Sequence, residues 1–301
     1  MTARIKASLK ATSLLLILSI VSLTQAQTAP KSPPIHGLAH IAIRVNDIAV
    51  ARAFYEKLGY QQAFAFHKDK ANDASPISQS FIKINDRQFI ELYPTSPTPD
   101  NQPAHGFMHL CFDGEDLNAL HDFDVAQGLT PIAVRKAGAG NLLFTLRGPE
   151  DQNIEYTQYM PGSLHYEDRG KHISTSRIAE SFFAVGLGMK DENAARAFYT
   201  TKLDFNTVGL DSHLLYIPGS EDKVHLEPLT STASRIYLIV PDLKKTAVQL
   251  KTRGITYKMA KNQLTITDPD GNFMVFTEDV RKLWPVVPFK TGVMSKKGMQ
   301  R

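Results

Sequence analysis

One short pattern recurs four times along this 301-residue chain, and the repeat constrains the fold more than any other feature. In each copy a strand-like run of alternating apolar residues leads to an aspartate and then to a helical pattern of apolar residues. The four aspartates are Asp47, Asp116, Asp191 and Asp242. A glycine stands twelve residues after the aspartate in the first, second and fourth copies. Aspartate favours the start of a helix and glycine its end, so each copy begins as a β-strand followed by a capped helix.

Further strand-like runs follow the helix and complete a βαβββ unit. In the first two copies these runs lie at 61–67, 77–84, 88–93, 130–135, 142–147 and 153–159. In the fourth copy an Asp-Pro-Asp-Gly turn at 268–271 precedes a last run at 273–277. A linker at 160–176 separates the second copy from the third. We therefore predict an α+β fold of tandem βαβββ modules in two domains, residues 36–160 and residues 177–285.

The first 26 residues are typical of an export signal. Basic residues among the first ten precede an apolar run from Leu14 to Leu23, which is short for a membrane span, and small residues lead to Ala26. We expect a signal peptide over residues 1–26 and a periplasmic or secreted mature protein. No stable membrane association is expected after cleavage.

The bulk charge excludes one class of partner. The net charge is +4, and three of the basic residues lie inside the expected signal peptide. The remaining chain is nearly neutral, so we expect no nucleic-acid partner. The sequence contains one cysteine, Cys111, so no internal disulfide can form and the fold depends on packing. We expect a monomer or homodimer.

Four residues at matched positions of the first two copies carry the candidate chemistry. His40 and His109 stand at the start of the first strand, and Glu91 and Glu155 stand in the last strand. A carboxylate among apolar strand residues is costly to bury unless it is paired or coordinates a metal. Two imidazoles and two carboxylates suit a divalent metal ion: Zn, Ni, Fe, Mn or Co. We therefore predict a metal site within residues 36–160.

The matched positions of the second half have lost this set. Ala184, Arg235 and Val275 replace the two histidines and the second glutamate. Alignment of the copies places His225 opposite the first glutamate, with Glu227 two residues further on. We predict that residues 177–285 hold no metal and serve as a structural or lid-forming partner.

Strand alternation identifies four further residues on the same strand faces, which we expect to bind substrate: Arg44, Tyr93, Cys111 and Tyr159. Arg44 can pair with a substrate carboxylate or form a salt bridge at the rim. Cys111 is either reactive or a small packing residue, since Ala42 holds its place in the first copy.

The repeated βαβββ unit and the set of His40, Glu91, His109 and Glu155 resemble the vicinal oxygen chelate superfamily. That superfamily includes glyoxalase I, methylmalonyl-CoA epimerase, extradiol dioxygenases, and fosfomycin and bleomycin resistance proteins. The resemblance covers nearly all of the chain after residue 36. It implies two glyoxalase-like domains, the second degenerate, and it implies the four residues as metal ligands. It also implies a metal that binds adjacent oxygens of a small substrate and stabilises enolate-like charge, with Glu91 or Glu155 transferring the proton.

Three functions follow from this resemblance. The first is a metal-dependent lyase or isomerase of the glyoxalase or epimerase kind. The second is an Fe(II) extradiol-type dioxygenase, which would use two histidines and one carboxylate and leave Glu91 as a spectator. The third is a non-catalytic small-molecule-binding protein of the bleomycin-resistance kind, which needs no metal. The four matched ligands favour the first function.

Overall fold

The computed structural model describes residues 31–95, 106–208, 211–230 and 233–279. The expected signal peptide over residues 1–26 lies outside these ranges and stays a prediction. Within them, no helix has the length and apolar character needed to cross a membrane.

The first half of the chain contains two βαβββ modules, as the repeat predicts. The first module comprises β1 (Ile35–Val45), α1 (Ile48–Lys57), β2 (Gln61–His67), β3 (Ile77–Lys83) and β4 (Phe89–Pro94). The second comprises β5 (Gly106–Gly114), α2 (Leu117–Ala126), β6 (Arg135–Lys136), β7 (Leu142–Arg147) and β8 (Asn153–Gln158). A single 3₁₀ turn at Pro149–Asp151 joins the last two strands.

The second half repeats this order after a short linker helix, α3 (Leu164–Glu167). The third module comprises β9 (Phe182–Met189), α4 (Glu192–Lys202), β10 (Asn206–Val208), β11 (Asp211–Tyr216) and β12 (Lys223–Pro228). The fourth comprises β13 (Arg235–Ile239), α5 (Leu243–Thr252), β14 (Lys258–Ala260), β15 (Gln263–Thr267) and β16 (Phe273–Thr277).

The helix ends follow from the repeated aspartates and glycines. The carboxylate of Asp47 accepts hydrogen bonds from the backbone N–H groups of Ala49 and Val50 at the start of α1, and the other three aspartates cap their helices in the same way. These bonds satisfy N–H groups that a helix start leaves without partners. At the other end Gly59 has φ +87°, a left-handed conformation that glycine adopts without steric cost.

Each pair of modules forms one eight-stranded sheet. The first sheet has the order β2-β3-β4-β1-β5-β8-β7-β6, and the second has the matching order β10-β11-β12-β9-β13-β16-β15-β14. The first strands of two modules therefore lie side by side at the centre, flanked by the last strands of the same modules. These four central strands are the ones for which the sequence predicts metal ligands.

The strand register confirms the alignment of the repeats. In the first sheet Ala42 is paired with Glu91 on one side and with His109 on the other. In the second sheet Gly186 takes the place of Ala42 and is paired with His225 and Arg235. His225 therefore occupies the position of Glu91, as the alignment of the copies predicts.

A shared apolar cluster packs the two halves together, with members from all four modules. Two buried tyrosines add hydrogen bonds across this contact. Tyr55 of α1 donates to Asp268 in the turn before β16 (3.0 Å), and Tyr199 of α4 donates to Gln152 before β8 (2.8 Å). The helix of each odd module is thus bonded to the last turn of the module in the opposite half.

One local prediction differs from the structure. The strand expected at 130–135 is reduced to Arg135–Lys136, because Pro131 has no N–H to pair with and interrupts the ladder. The linker at 160–176 contains the short helix α3, whose first turn is capped by the Ser163 hydroxyl.

Candidate metal centre

The four predicted ligands come together on the four central strands of the first sheet. His40 lies on β1, Glu91 on β4, His109 on β5 and Glu155 on β8. Parallel pairing of β1 with β4, and of β5 with β8, brings each histidine beside the strand that carries a glutamate. His40, Glu91 and His109 are each less than 10% exposed. The order of the strands therefore converts four separated sequence positions into one buried cluster.

Donor atoms converge on His40 from three sides. Its Nε2 lies 3.1 Å from Nε2 of His109 and 3.5 Å from Oε1 of Glu155. Its Nδ1 lies 3.5 Å from Oε1 of Glu91. His40, Glu91 and His109 each offer an atom, and these atoms all lie within 4.8 Å of one another.

These spacings fit a bound metal ion. Two ligands that each lie about 2.0–2.2 Å from one metal ion are separated from each other by about 3.0–3.5 Å in octahedral or tetrahedral geometry. Nε2 of His40 has this separation both from Nε2 of His109 and from Oε1 of Glu155. Nδ1 of His40 has no hydrogen-bond partner among the described residues. Donor type and spacing both suit a divalent cation.

The pKa shifts describe a site that lacks positive charge. Burial, with the nearby His109, lowers the pKa of His40 well below its usual range, and burial lowers the pKa of His109 to about 4. Burial and the charge of Glu155 raise the pKa of Glu91 to about 8, and burial raises the pKa of Glu155 to about 7. Neutral imidazoles offer lone pairs, and a divalent cation would offset the cost of burying two carboxylates.

Two neighbours fix the orientation of Glu91. The side-chain amide of Gln79 on β3 donates to Oε2 of Glu91 at 2.8 Å and to the Tyr93 hydroxyl at 2.5 Å. That hydroxyl donates to the same carboxylate oxygen at 3.1 Å. Oε2 is therefore held by two donors, while Oε1 faces His40. The sequence does not single out Gln79, because the four predicted ligands lie on the first and last strands of their modules and Gln79 lies on neither.

A cavity of about 190 Å³ opens beside these residues. His40, Glu91, Glu155 and both predicted tyrosines, Tyr93 and Tyr159, line it. The remaining lining includes aromatic side chains and several polar ones: Phe66, Phe81, His165, Gln79, Arg135, Asn141 and Thr157. Both tyrosines that the sequence predicts to bind substrate therefore line this cavity.

The other two expected substrate residues, Arg44 and Cys111, do not line this cavity. Arg44 lies four residues beyond His40 on β1, which is about 13 Å at the usual rise of a strand. Cys111 is fully buried in a cluster with Phe81, Phe89 and Tyr159. Burial and the nearby Glu155 raise the pKa of the Cys111 thiol well above its usual range, so the packing interpretation of this cysteine fits better than the reactive one.

The matching place in the second sheet contains an ion pair with its own hydrogen bonds. Glu227 is paired with Arg235, and it also contacts Nδ1 of His225 at 3.0 Å and the Tyr237 hydroxyl. Among the described residues, both groups of side chains that could hold a metal lie in the first sheet. The carboxylate of the second half already has a cationic partner.

His165 is a second residue that sequence analysis missed. It lies on the linker helix α3, is 3% exposed and lines the same cavity as Glu91 and Glu155. His165 lies in the linker between two modules, so no residue of another copy corresponds to it and the repeat indicates no role for it.

Comparisons with known proteins agree with this fold. Residues 37–156 match a sequence model described as the Glyoxalase/Bleomycin resistance protein/Dioxygenase superfamily. A search among curated proteins finds no match to the sequence.

Solved structures share the fold across both halves. A Mn(II)-bound glyoxalase from Novosphingobium aromaticivorans is 15% identical, with TM-score 0.59, over 81% of this chain and 82% of that one. A variant of homoprotocatechuate 2,3-dioxygenase from B. fuscum, in complex with HPCA, is 13% identical, with TM-score 0.61, over 84% and 74%. The 2,3-dioxygenase LapB from Pseudomonas sp. KL28 is 11% identical, with TM-score 0.59, over 81% and 92%.

Proposed function

We propose that this chain is a metal-dependent enzyme that moves a proton on a small oxygenated substrate, because residues 37–156 match the glyoxalase/bleomycin resistance/dioxygenase superfamily. His40, His109 and Glu155 would hold the metal, and Glu91 would act as a fourth ligand or as the proton-transfer base. The reaction class is that of a lyase or isomerase. The observation that supports it best is Glu91 itself, a second buried carboxylate that faces the same cavity.

The metal ion, when bound, would act as a Lewis acid that stabilises negative charge on a substrate oxygen. Glu91 would take the proton from the carbon next to the carbonyl and return it to the neighbouring carbon or to the opposite face. A general base is most effective when its pKa lies near the working pH, and the pKa of Glu91 is raised to about 8 in the absence of a cation. Gln79 and Tyr93 would keep the carboxylate aligned during both transfers.

Proton exchange provides the test. The full chain, loaded with Zn²⁺ or Mn²⁺, is incubated in D₂O with hydroxyacetone, and exchange next to the carbonyl is followed by NMR. We expect exchange with the wild-type chain and a loss of about 100-fold or more in Glu91→Gln, because a positioned base contributes about 10²–10⁴-fold. Glutamine keeps the shape of the side chain, so most of the metal should remain bound. Equal exchange in both proteins would overturn the proposal.

One observation favours a second candidate function. Nε2 of His40, Nε2 of His109 and Oε1 of Glu155 form a set of two histidines and one carboxylate, which is the ligand type of non-haem Fe(II) oxygenases. If the chain is an extradiol-type dioxygenase, the Fe²⁺-loaded protein should consume oxygen with a catechol. Glu91→Gln should then leave that uptake intact, because Glu91 would be a spectator.

The metal content of the purified chain separates both enzymes from the third alternative, a non-catalytic small-molecule-binding protein. We expect near-stoichiometric divalent metal. A protein that stays metal-free after incubation with each of Zn²⁺, Mn²⁺, Ni²⁺, Co²⁺ and Fe²⁺ would favour the binding role.

We also propose that the enzyme is exported, on the basis of the charged and apolar pattern in residues 1–26. The N-terminal sequence of the protein purified from a periplasmic or culture fraction tests this. A new N-terminus after Ala26 is expected, and an intact N-terminus in the cytoplasmic fraction would contradict the proposal.

A further inference from the structure

His165 is held inside a box of aromatic rings. Its imidazole stacks on Tyr159, with 4.7 Å between ring centroids and an angle of 26°. Three phenylalanine rings stand nearly perpendicular to the imidazole and complete the box, with centroid distances of 4.9 Å for Phe64, 5.3 Å for Phe81 and 4.9 Å for Phe89. Such a site would accept a phenyl ring with equally good packing, so packing alone gives no reason for a histidine.

Neither ring nitrogen of His165 has a hydrogen-bond partner among the described residues, although the side chain is only 3% exposed. Leaving a buried polar atom without a partner is costly, and native proteins rarely do so without a functional reason. Burial, with the nearby Lys83, lowers the pKa of His165 to about 3. The neutral ring therefore presents one donor and one acceptor.

The linker that carries His165 is firmly attached to the first sheet. The N–H of Leu164 donates to the carbonyl of Ala139 at 2.8 Å. Buried Lys83 on β3 donates to the carboxylate of Asp168 at 2.7 Å, and His172 contacts the same carboxylate at 2.6 Å. These bonds anchor α3 from both ends, so the position of His165 beside the cavity is fixed by the fold.

His165 shares this cavity with the candidate metal centre, since His40, Glu91 and Glu155 also line it. We infer that His165 is a further substrate-binding residue of this site, and that its imidazole hydrogen-bonds a polar group of the substrate away from the metal ligands. The inference deepens the proposed function and rests on it. The linker between the two halves thus contributes directly to the site of the first half.

The cavity limits the class of substrate. Its volume is about 190 Å³, whereas sites for drug-sized ligands typically have volumes of about 300–1,000 Å³. Phe66, Phe81 and Tyr159 supply an apolar wall, while Arg135 adds a cation to the lining. We therefore expect a small substrate with two adjacent oxygens for the metal and one further hydroxyl or carbonyl oxygen for His165.

Two chelating probes test this assignment on the full-length, Zn²⁺-loaded chain. Acetohydroxamate offers the metal two adjacent oxygens, and glycolohydroxamate offers the same two and one further hydroxyl. The dissociation constants of both probes are measured by calorimetry for the wild-type chain and for His165→Phe. Because one hydrogen bond contributes about 0.5–1.5 kcal/mol, glycolohydroxamate should bind about 2- to 12-fold more tightly than acetohydroxamate to the wild type. This preference should disappear in His165→Phe, with acetohydroxamate affinity and Zn²⁺ content unchanged.

His225→Phe is the control for the same substitution away from this cavity, because His225 lies in the second sheet at the register position of Glu91 and contacts Glu227 there. It should retain the wild-type preference between the probes. A preference that persists in His165→Phe would overturn the inference, as would equal binding of both probes by the wild type. Both outcomes leave Zn²⁺ binding and the Glu91→Gln exchange result untouched, so they are distinct from failure of the proposed function.

Thermal stability gives an independent readout. The phenyl ring of His165→Phe keeps the aromatic packing and removes two buried polar atoms without partners, so the unfolding temperature should rise by about 2–4 °C or more. A purely structural histidine would instead lower this temperature when replaced. A fall in unfolding temperature together with loss of Zn²⁺ would assign His165 to the scaffold and contradict the inference.

Discussion

Nε2 of His40 and Nε2 of His109 lie 3.1 Å apart, with both rings buried and both pKa values lowered. A neutral imidazole carries a proton on only one of its two nitrogens. Burial disfavours the charged imidazolium, which carries a proton on both. A metal ion satisfies both lone pairs at once. Glu155, 3.5 Å from Nε2 of His40, adds the negative charge that such an ion requires.

The first prediction follows from the difference between the two sheets. His109→Ala should reduce the affinity for Zn²⁺ by orders of magnitude, because it removes one donor from the cluster. Arg235→Ala is the matched change, since Arg235 occupies the same register position in the second sheet. It should leave metal content unchanged in elemental analysis. Comparable metal loss in the two variants would mean that the metal lies elsewhere.

The repeat made most of this fold predictable. An aspartate marks the start of the helix in every module, and a glycine follows the helix in the first, second and fourth. The strand register gives His225 the position in the second sheet that Glu91 has in the first, as the alignment of the copies predicts. Hydrophobic alternation alone determines which face of a strand is buried. For that reason the four ligand positions on adjacent central strands were accessible from sequence.

Residues outside the repeat were not accessible in the same way. His165 lies beside the cavity because tertiary contacts hold α3 against the first sheet, among them the hydrogen bond from Lys83 to Asp168 and that from Leu164 to Ala139. No local sequence pattern encodes these contacts. Arg44 shows the opposite limit. Its strand face was predicted, but its distance along β1 from His40 keeps it away from the cavity lining.

The second prediction concerns pH and the metal-free chain. Burial raises the pKa of Glu91 to about 8 and that of Glu155 to about 7, so their folded forms retain protons that the unfolded chain has lost. Their contribution to stability is full below pH 4.5 and is lost as the pH rises through about 7 and 8. The lowered pKa of His109, about 4, acts in the opposite direction, but only between about pH 4 and 6.5.

The chelator-treated protein should therefore become less stable between about pH 6.5 and about pH 8.5. Glu91 and Glu155 lose their protons in this range, and so does Asp124, whose pKa burial also raises to about 7. Thermal unfolding at both pH values measures this, and Glu91→Gln should reduce the slope. Metal requires deprotonated carboxylates, so the gain in unfolding temperature on adding Zn²⁺ should be larger at the higher pH. A metal-free protein that is more stable at the higher pH would show that these groups are ionised in the folded chain.

The third prediction assigns Gln79 a positioning role. Gln79→Leu removes one of the two donors that hold Oε2 of Glu91 and leaves the Tyr93 hydroxyl as the other. The hydrogen bond from Gln79 favours the ionised carboxylate, so its loss should raise the pKa of Glu91. The pH at which the exchange rate rises, as Glu91 loses its proton, should then move to a higher value. The rate itself should fall about 10-fold, the order expected for a misaligned base. Metal content should not change.

A pH–rate profile of hydroxyacetone exchange distinguishes this role from a structural one, which would change stability without moving the profile. Gln61→Leu is the control, because Gln61 is exposed on the neighbouring strand β2. An unshifted profile in Gln79→Leu would exclude Gln79 from the alignment of Glu91.

The last prediction concerns the contact between the two halves. Tyr55→Phe removes a buried hydrogen bond to Asp268, whereas Tyr199→Phe removes the corresponding bond to the neutral Gln152. The side-chain amide of Asn272 still donates to the same oxygen of Asp268 at 2.9 Å, so the carboxylate loses one of its hydrogen bonds and keeps others. Because hydrogen bonds to carboxylates are the stronger kind, we expect Tyr55→Phe to lower the free energy of unfolding by about 1–3 kcal/mol and Tyr199→Phe by about 0.5–1.5 kcal/mol. Urea unfolding of the metal-free chain measures both values.

The apolar cluster is continuous through all four modules, so each variant should still unfold in one transition, with Zn²⁺ binding unchanged. Separate transitions for the two halves in Tyr55→Phe would show that this bond, rather than the shared core, couples them.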